Sequence, residues 1–345
     1  MKAKQKVSVG IDGITCVVSG VFVLDEIHYP RESLKPILKI TPKNKTTEIG
    51  IILPHTIRKD NNIGFRVSDT KMLADVVQAI NRGLKSTIHR DWSELYVRSV
   101  EVACTVDMNC TDKCAVDSAV KFLCRCLLQE DRVNKEKTEQ GIPNALRKKP
   151  IVKYATGERK EGCVFLKDEI VSSFETSVLS NKRLKWKGYS KGAFSEFGGE
   201  TSIFRLEAVY TAQGMKHVLE SKDREITLQD ILKQKSIRKF IEQFKVDYKN
   251  LLCPCINGVL DESVQLTVNE LEHTSVYDAF LISKEYMYDF RVFKKALKNF
   301  YAKKNKSIGS YRRMLYNVRK KIKEKDIHIS EHMISIFEAI SKAVK

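Results

Sequence analysis

Two runs of alternating apolar and polar residues constrain this chain more than any other stretch. They lie in RLKWKGYSKGAFSEFGGETSIFRLEAVY, Arg183 to Tyr210. In the first run Leu184 and Trp186 alternate with Lys185, Lys187, Tyr189 and Lys191. In the second, Phe204, Leu206, Ala208 and Tyr210 alternate with Arg205 and Glu207. A period of two sends the two sets to opposite faces of a sheet. One face is apolar and has to pack on a core. The other gathers a tyrosine, several cations and a carboxylate, the groups that hold and attack a phosphodiester.

The remaining patterns extend that sheet. Residues 6–24 read as two strands around the turn dipeptide Asp12-Gly13, followed by strands at Pro36–Ile40, Glu48–Leu53 and Ile63–Val67. Lys71–Leu84 has a helical apolar stripe, with Ser68 or Asp69 as its cap. Glu94–Val106 is a strong strand. It carries Val100, Val102, Cys104 and Val106 on one face and Ser99, Glu101, Ala103 and Thr105 on the other. Cys114–Leu128 reads as a helix. Strands punctuated by two helices imply an α+β fold, largely antiparallel, with helices on one face. Residues 129–149 read as a charged linker, after which strands resume at Ile151–Tyr154 and Gly162–Leu166. From Thr227, where Asp230 completes a capping box, the chain turns helical: Ile237–Leu252, Val264–Ser283, Met287–Tyr301, Ser307–Lys323 and Ser330–Val344. The expected division is an N-terminal α+β half (1–130), a basic linker (131–150), a second α+β half with the tyrosine (151–225) and a helical, basic region (226–345).

A formal charge of +18 over 345 residues favours a polyanionic partner. No apolar run is long enough to span a membrane, and the start of the chain has no secretory h-region. The expected location is therefore the cytoplasm, where the nine cysteines stay reduced. The cations concentrate between Arg291 and Lys325, where Glu324 is the one acid. Two helices joined near Lys304–Ser310 resemble a helix-turn-helix, the second carrying Leu315, Val318 and Ile322 inward. Lys187, Lys303, Lys304, Lys306, Tyr311, Arg312, Arg313, Arg319 and Lys320 are the expected DNA contacts, mostly to phosphate.

On the polar sheet face, Glu101, Tyr189, Arg205 and Glu207 converge if their strands are neighbours. Tyr189 is the expected nucleophile, with Lys187 and Lys191 favouring its phenolate. Arg205 suits a phosphate. Glu101 and Glu207 offer hard oxygen ligands to Mg²⁺ or Mn²⁺. Competing chemistries lack their signatures. The chain has no GxxxxGK[ST] loop, no His-Glu-x-x-His and no Cys-x-x-Cys pair. No GFxF-type strand or GxxG loop supports an RNA-binding module.

YSKG (Tyr189–Gly192) followed by FRLEAVY (Phe204–Tyr210) resembles the tyrosine and RxE motifs of phage and plasmid rolling-circle replication initiators, nearest to the filamentous-phage gene II/X type, with Ser190 where that family carries Asp. VRSVEVACTVDM (Val97–Met108) looks like the family's preceding strand. SYRRMLYNVRKKIKEKDIHI (Ser310–Ile329) is similar to its basic C-terminal segment. The resemblance implies a Rep-type nicking domain in a bacterial host cell. It also implies binding of a double-stranded origin, nicking of one strand through a 5′-phosphotyrosyl link, and Mg²⁺ or Mn²⁺. The partners would be double-stranded and single-stranded DNA, with a host helicase and polymerase following. Tyr154 and Tyr210 stand as other candidate nucleophiles, and a DNA-binding regulator without catalysis is the alternative function.

Overall fold

The computed structural model describes residues 6–21, 27–28, 36–57, 63–108, 114–128, 151–154, 159–161, 171–177, 183–190, 203–222 and 225–345. For residues 27–28, 127–128, 151–154, 159–161 and 171–177 it describes the backbone alone. Ten strands form one sheet: β1 (Lys6–Ser19), β2 (Ile27–His28), β3 (Leu38–Pro42), β4 (Thr46–Ile52), β5 (Tyr96–Asp107), β6 (Ile151–Tyr154), β7 (Arg159–Glu161), β8 (Val171–Ser177), β9 (Leu184–Ser190) and β10 (Ile203–Thr211). Their order is β2-β3-β4-β1-β5-β10-β9-β8-β6-β7, and every pairing is antiparallel. The helices are α1 (Leu73–Thr87), α2 (Cys114–Leu128), α3 (Ala212–Leu219), α4 (Leu228–Ile231), α5 (Gln234–Asp247), α6 (Cys253–His273), α7 (Val276–Met287), α8 (Phe290–Lys303), α9 (Ile308–Glu324) and α10 (Met333–Ala343). The protein is thus α+β with an all-helical C-terminal region.

The two alternating runs are β9 and β10, paired so that Arg205 lies opposite Tyr189 and Glu207 opposite Lys187. On its other side β10 meets β5. The apolar set of all three strands is buried: Leu184 and Trp186, then Phe204, Leu206, Ala208 and Tyr210, then Val100, Val102, Cys104 and Val106. Helices close over this face through aromatic contacts. Trp186 meets Phe244 of α5 edge-on at 5.7 Å between ring centroids, and Phe204 meets Phe337 of α10 at 6.2 Å. Burial of such rings supplies about 1.5–3 kcal/mol each, so the apolar face is what holds the polar one in place.

A second apolar core forms where the C-terminal part of α6 packs with α7, α8 and α9 around Phe280, Phe290 and Phe293. Residues 226–259 and α10 instead belong to the sheet's core. Asp289 ties the two cores together. It is fully buried, and its carboxylate accepts from the backbone N–H of Arg291 at 2.7 Å and of Ile334 at 2.8 Å, starting α8 and anchoring α10.

The capping box at Thr227 and Asp230 forms. No hairpin forms at Asp12-Gly13. β1 runs straight through, and the extra residue is absorbed as a register shift between Ile11 and Gly13 against β5. β5 pairs with β1 on both sides of the dipeptide and holds it extended, while the other edge is met by Phe65 at Ile11 and by β4 from Gly13 onward. The strand expected at Ile63–Val67 shrinks to one bridge, Phe65 to Ile11. There Gly10 and Gly64 touch so closely that a Cβ on Gly10 would lie 2.6 Å from the Gly64 carbonyl carbon. The helix expected over Val264–Ser283 is two helices. Thr274 is extended, and the Ser275 hydroxyl accepts from the Asp278 N–H to start α7 afresh. Residues 129–149 and Gly162–Leu166 lie outside the described residues.

Candidate functional site

The polar faces of β1, β5, β9 and β10 meet at the centre of the sheet. Because β10 separates β5 from β9, Glu207 and Arg205 sit between Glu101 on one side and Tyr189 on the other. The bulge in β1 adds a residue that the sequence reading had assigned to a turn. Asp12 has no paired partner in the register between Ile11 and Gly13, and its carboxylate accepts from Arg205 Nη2 at 2.6 Å. Gly13 stands opposite Glu101, where a Cβ would lie 3.2 Å from Glu101 Oε2. The glycine therefore leaves the Glu101 carboxylate its place.

The outcome is a cluster of three acids. One carboxylate oxygen each from Asp12, Glu101 and Glu207 lies within 4.8 Å of the other two. Two cations offset them: Arg205, whose Nε is 3.8 Å from Glu207 Oε1, and Lys187, whose Nζ donates to Glu101 Oε1 at 2.9 Å. Arg205 and Glu207 have side chains only 3% and 4% exposed. Burial, then the charges of Glu101 and Asp12, push the Glu207 carboxyl up to about 7. The Tyr189 hydroxyl donates to Glu207 Oε1 at 2.5 Å. Burial, then the Glu207 charge, raise the phenol above its ordinary value. The expectation that Lys187 would favour the phenolate is corrected here, because its ammonium is engaged by Glu101 and does not outweigh desolvation. Thr105 lies on the same face of β5 as Glu101 and opposite Arg205. It is buried, and its hydroxyl finds no hydrogen-bond partner among the described residues. A buried hydroxyl left unpaired costs about 1–3 kcal/mol.

A set of three hard oxygen donors with no nitrogen or sulfur suits Mg²⁺ or Mn²⁺ and not zinc. Such ions take water and phosphate oxygens as their further ligands. Among the described residues no other group of three potential ligands comes together. Cys124 and Cys126 are buried in the sheet's core.

Of the residues expected here, Glu101, Glu207, Tyr189, Arg205 and Lys187 are brought together. Lys191 lies outside the described residues, and for Tyr154 only the backbone is described. Tyr210 is on the opposite face. Its ring packs on Phe240, and its hydroxyl donates to Asp247 at 2.8 Å inside the core, away from the carboxylates. Asp12 is the residue sequence reasoning missed. The signal was present as an acid preceding a glycine within a long strand pattern, but an Asp-Gly pair more commonly marks a hairpin.

The basic helix pair forms as expected from α8 and α9, joined at Lys304–Ser307 with Ser307 capping α9. Val318 is buried, and Leu315 and Ile322 pack beside it on the second core. The expected DNA-contacting cations of this pair divide into three groups. Lys303 pairs with Glu272, Arg319 with Glu331 and Lys320 with Glu324. Lys304 and Lys306 lie over the rings of Phe300 and Tyr301, and Tyr311 is partly buried edge-on to Tyr301. Arg312 and Arg313 are exposed.

No family model matches the chain, and no curated protein matches it. Among solved structures, a rolling circle replication initiator protein from Geobacillus stearothermophilus is similar at 8% identity, covering 71% of this chain and 86% of that one, with a TM-score of 0.32. At that score nothing about this chain's chemistry follows from the neighbour. No helix among the described residues is long and apolar enough to cross a membrane.

Proposed function

We propose that the chain is a replication initiator of the rolling-circle kind, a metal-dependent endonuclease that nicks one DNA strand and stays linked to it through Tyr189. The observation that carries this reading is the Tyr189 hydroxyl donating to Glu207 within a cluster of three carboxylates. A phenol needs a base and a polarised phosphate to act as nucleophile; Glu207 offers the first, and the three carboxylates offer ligands for an ion that would supply the second. Asp12, Glu101 and Glu207 would hold Mg²⁺ or Mn²⁺, which when bound stabilises negative charge on the scissile phosphate.

The chain's own residues supply the rest. Glu207 takes the phenolic proton as Tyr189 Oη bonds to phosphorus. The bond from phosphorus to the 3′-oxygen breaks, and that oxygen takes a proton from water, leaving a 5′-phosphotyrosyl strand. Arg205, sequestered between Asp12 and Glu207, acts as a positioning residue that keeps two carboxylates aimed together. Its burial leaves the phosphate contact expected of it to Lys187, whose side chain is 29% exposed. The basic α8–α9 pair would hold duplex origin DNA, and a host helicase and polymerase would act after the nick. The alternative, a DNA-binding regulator without catalysis, is favoured by one observation: the raised, hydrogen-bonded phenol of Tyr189. Incubation with single-stranded DNA and Mn²⁺ separates the two, since only the first reading yields a protein–DNA adduct, and the adduct must be lost in Tyr189→Phe.

A further inference from the structure

α9 carries more than charge. Among the large apolar side chains, Ile308 and Tyr316 are 70% and 67% exposed. Both lie on α9 together with the exposed Gly309, Arg312, Arg313, Asn317 and Lys320. At 100° per residue, Tyr316 falls near the centre of the face opposite Val318, with Arg312 and Arg313 on either side of it and Asn317 one turn past Arg313. Such a surface has no reason to be apolar for stability, because Val318, Leu315 and Ile322 already anchor the helix. It is also charged with one sign. Arg312 and Arg313 form no salt bridge with any described residue, whereas Arg319 and Lys320, further along, are paired with Glu331 and Glu324.

We infer that the N-terminal half of α9 reads base edges in the major groove of duplex DNA through Ile308, Arg312, Arg313, Tyr316 and Asn317, while the paired cations beyond it only approach the backbone. This rests on the DNA-binding part of the function proposed above and adds which residues carry sequence information. The chemistry matches each side chain. Arginine forks suit guanine O6 and N7, an asparagine amide suits adenine N6 and N7, and isoleucine and the tyrosine ring suit a thymine methyl. Charge complementarity selects the occupant: an exposed apolar centre flanked by unpaired cations fits a polyanion with methyl groups in its groove. α9 starts from Ser307, whose hydroxyl accepts from the Ser310 N–H. The reading face therefore begins at a defined first turn, which can enter a groove end-on.

The test is selection of duplexes from a random-sequence library by the full chain, in EDTA so that strand cleavage does not enter. Wild type and Tyr316→Ala/Asn317→Ala are compared, with thermal melting to show that the variant folds. Wild type should enrich a motif. The variant should lose preference at about 2–4 adjacent base pairs, by about 5- to 100-fold in relative affinity, while its affinity for bulk duplex and its salt slope stay within about a factor of two. An identical motif from the variant overturns the inference. So does a uniform loss of affinity with a shallower salt slope, which assigns α9 to phosphates alone. Tyr316-dependent self-association of the wild type in place of duplex binding also overturns it, making this face a protein contact. A wild type that retains no duplex overturns the DNA-binding reading as well, whereas failure to form the Tyr189 adduct leaves this selection unaffected.

Discussion

Replacing Glu207 by Gln should change how the stability of the metal-free protein depends on pH, and the structure sets the size of the change. The Glu207 carboxyl is pushed from an ordinary 4.5 up to about 7 by burial and by its acidic neighbours. In the unfolded chain it releases its proton near the ordinary value, while in the folded chain it keeps the proton until about 7. Between those two values the folded state binds more protons, so stability falls as pH rises through this window and is flat for this group on either side. One pKa unit corresponds to about 1.36 kcal/mol, so the loss attributable to Glu207 is about 3 kcal/mol. Glutamine keeps an acceptor for the Tyr189 hydroxyl but cannot ionise. Urea unfolding of both proteins in EDTA, measured from pH 4.5 to pH 8, gives the comparison. The wild-type curve should drop relative to Glu207→Gln across the window by about 2–4 kcal/mol. Mn²⁺ at the alkaline end should restore wild type more than the variant. Parallel curves would refute the claim that Glu207 is a desolvated carboxyl held among like charges.

Asp12→Asn should leave the sheet intact, since the amide oxygen still faces Arg205. It should weaken Mn²⁺ binding by at least about tenfold, read by isothermal titration, and unchanged affinity would remove Asp12 from the ion site. Asp289→Ala deletes the acceptor for two helix-starting N–H groups and should cost about 1–3 kcal/mol in urea unfolding. A change under about 0.5 kcal/mol would show that the junction between the two cores does not depend on it.

The sheet face was legible because its alternation is strict. Phe204 to Tyr210 and Val100 to Val106 have one way to bury their apolar side chains, and that choice aims Glu101, Tyr189, Arg205 and Glu207 together. What periodicity does not carry is strand order. β5 and β10 are far apart in sequence, yet adjacency between them is what completes the cluster. Asp12 was illegible for a related reason. A residue in a bulge is defined by pairing on both sides of its strand, whereas Asp-Gly read locally is a turn. Burial was likewise invisible. Arg205 looked like a phosphate clamp by residue type, but side-chain contacts with Asp12 and Glu207 engage it. In the helical region the basic stripe was plain in the sequence. The break at Thr274-Ser275 was missed because apolar spacing continues across it, although Ser275 and Asp278 spell a cap.

The central claim is that Tyr189 attacks a phosphodiester, and it is tested most directly by locating the bond. The protein is incubated with a pool of single-stranded oligonucleotides and Mn²⁺, digested with nuclease and protease, and the peptides are sequenced by mass spectrometry. A nucleotide phosphate on the peptide that contains Tyr189, absent in EDTA and absent in Tyr189→Phe, is the expected result. An adduct on another tyrosine, or none at any divalent ion concentration while duplex binding persists, would contradict it.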